Sequence, residues 1–317
     1  MDKNELIEMY RQMVLIRKFE EQAGEMYKVG KIGGFLHLYI GQEAVAVGFI
    51  SALRPDDYVI GAYREHGQAL ARGVDPQQVM AELFGKRTGV SHGKGGSMHM
   101  FDVAKHFMGG HGIVGGGMPL ATGIGFAMNY RETDQVVLNF FGDGAVNEGA
   151  FHESLNLASL WRLPVIFVCE NNLYGMGTSV ERASAIPQVF RRAQCYDIEV
   201  ESIDGMDVLA VREAADRAVY HARRIHEPKF IEAVTYRYRG HSMADPGTYR
   251  TKEEIADWER RDPIPKMRQY LLDQHILTED ELAKAEAEAA ETVEDAVRFA
   301  DESPEPAYEE LFEDVYA

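Results

Sequence analysis

The sequence predicts an α/β fold with a mainly parallel central sheet flanked by helices, and with helical N- and C-terminal extensions. Three observations support this prediction. Short apolar runs alternate with helical patterns through the middle of the chain, glycine-rich turns follow several of these runs, and amphipathic patterns occupy both ends. Strands that alternate with helices of about 10 to 15 residues are joined by right-handed crossovers, which makes the strands parallel neighbours.

The predicted elements follow in chain order. Apolar side chains recur at spacings of three and four from Leu6 to Phe19, which indicates a helix over residues 4–27. Strands are expected at 58–62, 136–141, 164–169 and 230–234, and helices near 43–53, 117–130, 147–161 and 206–224. Thr278 and Glu281 have the spacing of a capping box for a helix that runs towards Ala300 and stops before Pro304. We expect a single domain over 1–317, with a helical arm at about 1–30, a core at about 31–240, and a loop plus acidic helical region at about 241–317.

The charge of the chain argues against some partners. Its 317 residues include 51 acids and 33 bases, a net charge of −18, which disfavours nucleic acid or an anionic membrane as the main partner. Residues 277–317 hold 15 acids and two bases, so this acidic end has a charge of −13. We interpret it as a solvated helical face, with a docking surface for a partner as the alternative. The rest of the chain remains able to form a local cationic pocket.

Cysteine content, the N-terminal residues and the length of the apolar runs bear on where the protein is located. Two cysteines, Cys169 and Cys195, do not make a disulfide framework, and Cys169 ends an apolar run that predicts burial. The N-terminal residues include acids at positions 2, 5 and 8, unlike signal or transit peptides, and no apolar run reaches the ~18 residues of a membrane span. The expected location is the cytoplasm, or an organelle matrix or stroma if a presequence has been removed.

A formal dinucleotide-binding pattern, Gly-x-Gly-x-x-Gly, occurs at residues 110–115. That fingerprint needs a strand running directly into its first glycine and a helix that starts within the motif. Residues 105–108 do not resemble a strand, and Pro119 favours a helix that begins only after the glycines. We therefore discount a nicotinamide-binding site, which stays only as an alternative to be tested by NAD binding.

Two turns at predicted strand ends carry oxygen ligands. Asp143 lies between two glycines after the strand at 136–141, and Asn172 follows the strand at 164–169. In a parallel βαβ unit both side chains lie at the carboxyl edge of the sheet, where α/β proteins bind ligands. A carboxylate, an amide oxygen and a nearby backbone carbonyl suit Mg²⁺, whose other ligands are usually phosphate oxygens and water. The following helix N-terminus favours a diphosphate.

These turns are part of a wider resemblance. The turn at 142–144 and Asn171-Asn172 are separated by 26 residues, and distinctive segments occur at 34–44, 63–67, 93–100 and 236–243. Together they resemble the alpha subunits of the decarboxylating first component of pyruvate dehydrogenase complexes, in the family of thiamin diphosphate (TPP)-dependent 2-oxo acid dehydrogenases. The resemblance runs from about residue 5 to 265 and implies the thiamin-diphosphate-binding fold.

The resemblance also implies roles for individual residues. It implies Mg²⁺ ligands at Asp143, Asn172 and the backbone of Tyr174, and a substrate site at Phe35 and His37. His241 lies on a loop over the diphosphate in this comparison, and His37 and His241 are the expected catalytic groups, which move protons or stabilise developing charge. The other expected cofactor-binding residues are Tyr63 and Arg64 on the diphosphate, Gly144 and Ala145 through their amides, and Gly112 and Val114 on the aminopyrimidine side.

The implied activity is oxidative decarboxylation of pyruvate, between glycolysis and acetyl-CoA, with transfer of the acetyl group to a lipoyl group of an acyltransferase component. Resembling enzymes activate TPP through a glutamate of a second type of domain, which this sequence lacks. We therefore expect half of an active site, completed by a beta subunit in an assembly of two alpha and two beta chains. Alternatives are the same chemistry on acetoin or branched-chain 2-oxo acids, and a non-catalytic structural subunit.

Ser242 is a possible phosphorylation site. It matches the position that a dedicated kinase modifies in mitochondrial relatives, where a phosphate adds negative charge beside the diphosphate. The segment 246–250 is one residue shorter than in those relatives and lacks their second serine. This difference argues against regulation at Ser242.

Overall fold

The computed structural model describes residues 1–313 and Val315. Asp314, Tyr316 and Ala317, at the end of the predicted acidic region, lie outside the described residues. The helices are α1 Lys3–Lys28, α2 Glu43–Ile50, α3 His66–Ala71, α4 Pro76–Leu83, α5 Gly117–Arg131, α6 Gly149–Leu160, α7 Val180–Ala183, α8 Phe190–Ala193, α9 Val208–Ile225, α10 Lys252–Glu259, α11 Pro263–Asp273 and α12 Glu279–Glu302. The strands are β1 Tyr58–Ile60, β2 Val137–Gly142, β3 Val165–Asn171, β4 Tyr174–Gly175, β5 Thr178–Ser179, β6 Glu199–Asp204 and β7 Lys229–Val234.

Five of the strands form one parallel sheet in the order β1-β2-β3-β7-β6, which confirms the predicted fold class. Alternate side chains of β2 pack on opposite faces of the sheet. Leu138 and Phe140 join a large cluster with α1, α2, α9 and α12, whereas Val137 and Phe141 join a smaller cluster with α5 and α6. Helices thus cover both faces, and the carboxyl edge of the sheet is left for a site.

The ends of the long helices follow from their sequences. Asp2 and Glu5 form a capping box at the start of α1, and Thr278 and Glu281 form the predicted one at the start of α12. Helix α12 ends at Glu302, before Pro304, whose carbonyl accepts a hydrogen bond from the N–H of Arg87 at 3.0 Å. This contact ties the C-terminal region to the loop after α4.

The predicted elements exist, with small shifts at their ends. Strand β1 is shorter than predicted and stops at Ile60, because the N–H of Gly61 instead donates to the Gly109 carbonyl at 2.9 Å. Residues 108–116 belong to no helix or strand, and α5 begins at Gly117, so the geometry of a dinucleotide fingerprint is absent at 110–115. The sequence analysis did not predict β6, the β4–β5 hairpin, or the short helices α3, α4, α7 and α8.

Cys169 is buried in β3, as expected, and Cys195 is exposed; neither forms a disulfide. Among the described residues, no helix has the length and apolar character that crossing a membrane requires.

Candidate active site

The candidate site lies where four adjacent strands end. Chain segments that follow β1, β2, β3 and β7 line one cavity of about 230 Å³ at the carboxyl edge of the sheet. The lining side chains include Arg64 after β1, Asp143 after β2, Asn172 after β3 and Arg237 after β7. Tyr63, Val114, Gly144, Ala145 and Tyr174, all expected from the sequence, line the same cavity.

The predicted metal ligands lie together at this edge. Asp143 is 4% exposed, and burial raises the pKa of its carboxyl group to about 6. Asn172 donates its amide N–H to Gln42 Oε1 at 2.9 Å, and its Oδ1 accepts a weaker bond from the N–H of Tyr174 at 3.3 Å. A buried carboxylate beside an oriented amide oxygen is a hard oxygen environment, and a divalent cation there would favour the ionised form of Asp143.

The turn between β2 and α6 leaves room for a ligand. A Cβ atom added to Gly142 would meet nothing within 4 Å, and one added to Gly144 would meet only the Cα of Gly175, at 3.5 Å. Both glycines therefore border open space, so a diphosphate can approach the backbone of this turn.

Two buried guanidinium groups, those of Arg64 and Arg237, place positive charge in the cavity. Arg64 donates to the Leu38 carbonyl at 2.6 Å and to the His241 carbonyl at 2.7 Å. Burial, followed by the charge of Arg237, lowers the pKa of Arg64 to about 10, so it stays protonated at neutral pH. Two buried cations at one edge suit a dianionic phosphate group, although the chain as a whole is negatively charged.

Both predicted catalytic histidines lie next to Tyr63, which lines the cavity, although neither histidine is itself part of the lining. The ring centroids of His37 and His241 lie 5.1 Å apart, and those of Tyr63 lie 5.1 Å from His37 and 5.6 Å from His241. Burial, followed by the charge of Arg64, lowers the pKa of His37 to about 3 and that of His241 to about 4. Their Nδ1 atoms are buried without a hydrogen-bond partner. These neutral rings have nitrogen atoms available to a ligand.

The segment that carries His241 is held by its own hydrogen bonds. The His241 N–H donates to Asp245 Oδ2 at 2.6 Å, and the Tyr249 hydroxyl donates to the same oxygen at 2.7 Å. Arg237 donates to the Tyr249 hydroxyl at 2.8 Å. The guanidinium group of a cavity residue is thus connected to the backbone of His241 through two side chains.

Some predicted site residues lie outside the cavity lining. The side chain of Phe35 is 64% exposed, and its ring centroid lies 6.5 Å from that of His37. Gly112 faces the ring of His99, since a Cβ atom added to Gly112 would lie 3.1 Å from His99 Nε2. The Ser242 carbonyl accepts a hydrogen bond from the N–H of Asp245 at 3.0 Å, so Ser242 is the first residue of a turn.

Sequence reasoning missed three cavity residues: Gln42, Glu170 and Arg237. Glu170 accepts hydrogen bonds from the Tyr39 hydroxyl and from Gln68 Nε2, the latter at 3.0 Å, and burial raises the pKa of Glu170 to about 7. Glu170 directly follows the predicted strand at 164–169, and Arg237 follows the one at 230–234 by three residues, so the strand-end argument that found Asp143 could have found both. Gln42 gave no comparable signal, since its hydrogen bond to Asn172 joins residues that are 130 positions apart.

No group of three or more His, Cys, Asp and Glu side chains suited to a metal occurs within the described part of the chain. The predicted Mg²⁺ set does not need one, because it combines a carboxylate with an amide and a backbone carbonyl.

The fold and the cavity define an α/β protein with a candidate site at the carboxyl ends of parallel strands, lined by Arg64, Asp143, Asn172 and Arg237. The model of the family described as the dehydrogenase E1 component matches residues 11–309, and the chain belongs to this family. The family predicted from the sequence is therefore confirmed.

Several full-length relatives support the same assignment. The chain is 52% identical over 314 residues to the pyruvate dehydrogenase E1 component subunit alpha of Rhizobium meliloti, covering 99% of this chain and 90% of the relative. It is 49% identical to the protein of the same name from Zymomonas mobilis, with 99% and 89% covered. It is 45% identical to the chloroplastic subunit alpha-3 of rice, with 99% and 76% covered.

Proposed function

We propose that this chain is the diphosphate-binding alpha subunit of a TPP- and Mg²⁺-dependent enzyme that oxidatively decarboxylates pyruvate and transfers the acetyl group to a lipoyl group of an acyltransferase component. The convergence of Arg64, Asp143, Asn172 and Arg237 on one cavity carries this proposal. The names of the relatives supply the substrate, pyruvate, and the subunit type. Acetoin or a branched-chain 2-oxo acid remains the alternative substrate.

The residues present fit the cofactor. Asp143, Asn172 and the Tyr174 carbonyl would hold Mg²⁺, while Tyr63, Arg64 and the amides of Gly144 and Ala145 would hold the diphosphate. Gly112 and Val114 would support the aminopyrimidine side. The chemistry that TPP supplies when bound is addition to the ketone of a 2-oxo acid and an electron sink for the loss of CO₂.

The chain's own side chains would bind and orient the substrate. His37, with Phe35 beside it, would face the substrate carbonyl and carboxylate, and His241 would face the diphosphate and the reacting carbon from the opposite segment. Because burial and the charge of Arg64 keep both rings neutral, each can donate a hydrogen bond from one nitrogen and accept one at the other, which orients the substrate and stabilises developing charge. Arg64 and Arg237 would hold negative charge in a site from which water is largely excluded.

A beta subunit would complete the site, in an assembly of two alpha and two beta chains. Large apolar side chains are exposed along α5 and at the C-terminal end of α6, namely Leu120, Phe126, Tyr130, Leu160 and Trp161, and a surface of this kind is typical of interfaces. The proposal retains a single domain over 1–317 and a location in the cytoplasm or in an organelle matrix or stroma; one relative is chloroplastic by name.

Calorimetric titration tests the cofactor site directly. TPP with Mg²⁺ is titrated into the complex of this chain with its beta subunit, and Asp143→Ala is expected to weaken binding by at least about 100-fold, since it removes the only carboxylate among the proposed ligands. Cys195→Ala, a change on the exposed surface away from the cavity, is the matched control. Unchanged affinity in Asp143→Ala would refute the site. Rates with pyruvate, acetoin and 2-oxoisovalerate then separate the substrate alternatives.

A further inference from the structure

A buried row of three polar side chains lies behind the candidate active site. Both carboxylate oxygens of Glu20, on α1, lie within 3.1 Å of His66 Nδ1, on α3. His66 Nε2 lies 2.9 Å from Ser97 Oγ and 3.1 Å from the Ser97 carbonyl oxygen. Glu20 and His66 are fully buried, and Ser97 is 6% exposed. None of the three lines the cavity, so the roles already described do not account for them.

This row is attached to the chain segment that carries His37. The His37 N–H donates to Ser97 Oγ at 3.2 Å, and the Tyr39 N–H donates to Glu20 Oε1 at 2.9 Å. Arg64 donates to the Leu38 carbonyl, 2.6 Å away. In an extended chain the N–H groups of residues 37 and 39 point to one side, and the carbonyl of the residue between them points to the other. The segment is therefore held between the buried row and Arg64.

The side chains of this segment reach the site. His37 packs against Tyr63 and His241, and the Tyr39 hydroxyl donates to Glu170 in the cavity wall. We propose that Ser97, His66 and Glu20 are positioning residues of the candidate active site, which set the place of the His37 ring and the Tyr39 hydroxyl by fixing the backbone between them. This inference rests on the proposed function, in which His37 faces the substrate.

The order carboxylate, imidazole, hydroxyl also occurs in nucleophilic triads. Here the hydroxyl is almost fully buried and already accepts a backbone hydrogen bond, whereas a nucleophilic serine must be open to its substrate. Burial acts to lower the pKa of His66, but the charge of Glu20 and its hydrogen bond outweigh burial and raise that pKa.

A second buried carboxylate fixes the loop that presents Ser97. Glu82 accepts hydrogen bonds from four backbone N–H groups, those of Ser91, Gly93 and Gly95 at 2.8 Å and that of Gly96 at 3.0 Å. The position of Ser97 is thus determined by its own loop rather than by His37. Ser97 can therefore act as a fixed point for the segment.

Hydrogen exchange tests the positioning without any reaction. Amide exchange is measured at single-residue resolution by mass spectrometry on the complex of this chain with its beta subunit. In Ser97→Ala the His37 amide is expected to exchange at least about tenfold faster, because its acceptor is gone. Ser91→Ala is the matched control, since its hydroxyl lies in the same loop and contacts His99 and Phe101 instead. Equal exchange of the His37 amide in both variants would overturn the inference.

Kinetics tests whether the position matters. Ser97→Ala is expected to lower kcat between about 10- and 100-fold with little change in the KM for TPP, since a small displacement of a reacting group reduces the rate steeply. In a His37→Ala background the same change should lower kcat less than about twofold, because the group it positions is already missing. Equal effects in both backgrounds would overturn the inference.

The two proposals can fail separately. A parental complex without TPP-dependent turnover contradicts the proposed function, and the exchange experiment still decides whether Ser97 holds the segment. If Ser97→Ala does not fold, Glu20→Ala takes its place, with faster exchange expected at the amide of Tyr39, whose acceptor is then gone. Parental exchange at that amide would then overturn the inference.

Discussion

Buried ionisable side chains set the charge of the candidate site at the scale of single residues. Burial and the guanidinium group of Arg64 lower the pKa of His37 to about 3 and of His241 to about 4, while burial raises the pKa of Asp143 to about 6. The histidines are therefore neutral and Asp143 is largely ionised at pH 7. This combination suits a site that binds a cation through the carboxylate and forms hydrogen bonds to a ligand through the rings.

The depressed pKa of His37 predicts a pH dependence of stability. Unfolded histidine has a pKa near 6.5, so between about pH 6.5 and pH 3 the unfolded chain binds a proton at residue 37 that the folded chain does not. The free energy of unfolding must then fall as the pH decreases through this window. From pH 7 to pH 5 this contribution is about 2 kcal/mol.

Urea unfolding of the chain at pH 8, 7, 6 and 5 checks this value. His37→Gln is expected to lose about 2 kcal/mol less stability than the parental chain between pH 7 and pH 5. The range from pH 8 to pH 7 is the internal control, because the His37 ring is largely neutral there in both the folded and the unfolded chain. The free energies of unfolding of the two proteins should therefore change nearly in parallel over this range. Parallel curves down to pH 5 would show that His37 is not held neutral.

At the scale of structural elements, the glycine-rich loop after α4 is held by hydrogen bonds to one buried carboxylate, rather than by the backbone hydrogen bonds of a regular strand or helix. Glu82 at the end of α4 accepts four backbone N–H bonds from residues 91–96, a stretch with three glycines and little side-chain packing of its own. An added Cβ at Gly89 would lie 2.3 Å from Glu82 Oε2, so the loop also needs glycine to wrap this closely.

Glu82→Gln is expected to destabilise the chain by about 3 kcal/mol. It replaces one accepting oxygen by an NH₂ group that faces N–H donors, so two bonds to a charged acceptor are lost and the donors remain buried. Denaturant midpoints of the two proteins measure this difference. Glu213→Gln, an exposed change on α9, is the control and should stay within about 0.5 kcal/mol of the parental chain. A loss no larger than that of the control would contradict the role of Glu82.

The sequence predicted the central strands well because they are buried on both faces. The runs at β2 and β3 are mostly apolar, with Asn139 inside β2 and Glu170 and Asn171 at the end of β3 as the polar exceptions, and a short apolar run between helices is typical of a buried parallel strand. Strand β6 was missed because it is an edge strand with one partner, and its residues Glu199–Asp204 are mostly polar and half-exposed. Helices α3 and α4 are short and carry too few residues for a clear period.

The candidate site was predictable where a side chain follows a strand, as for Asp143 and Asn172. It was not predictable where a residue reaches the site across the chain. Glu20, His66 and Ser97 come from three segments that only the folded backbone brings together. Their buried polar character is invisible in the sequence, since Glu20 lies on a helix whose pattern resembles an ordinary amphipathic one.

At the scale of the whole molecule, the proposed function makes the cavity of this chain one half of a shared site. The cavity holds residues suited to the diphosphate and the metal, and apolar side chains such as Phe126 and Trp161, whose ring centroids lie 5.3 Å apart, remain exposed. The chain belongs to a family whose relatives are named as alpha subunits. The proposed beta subunit would cover exposed apolar surface and supply the carboxylate that activates TPP.

This assembly predicts a defined stoichiometry of activity. The purified chain is titrated with its beta subunit in the presence of TPP and Mg²⁺, and CO₂ release from pyruvate is measured. The chain alone should give less than about 1% of the maximal rate, because the activating group and part of the pocket are missing. The rate should rise linearly and level off at one beta chain per alpha chain. Sedimentation velocity at that ratio should show a species with two chains of 35.6 kDa and two beta chains. A plateau at another ratio would contradict the proposed assembly, and full activity of the chain alone would contradict the shared site itself.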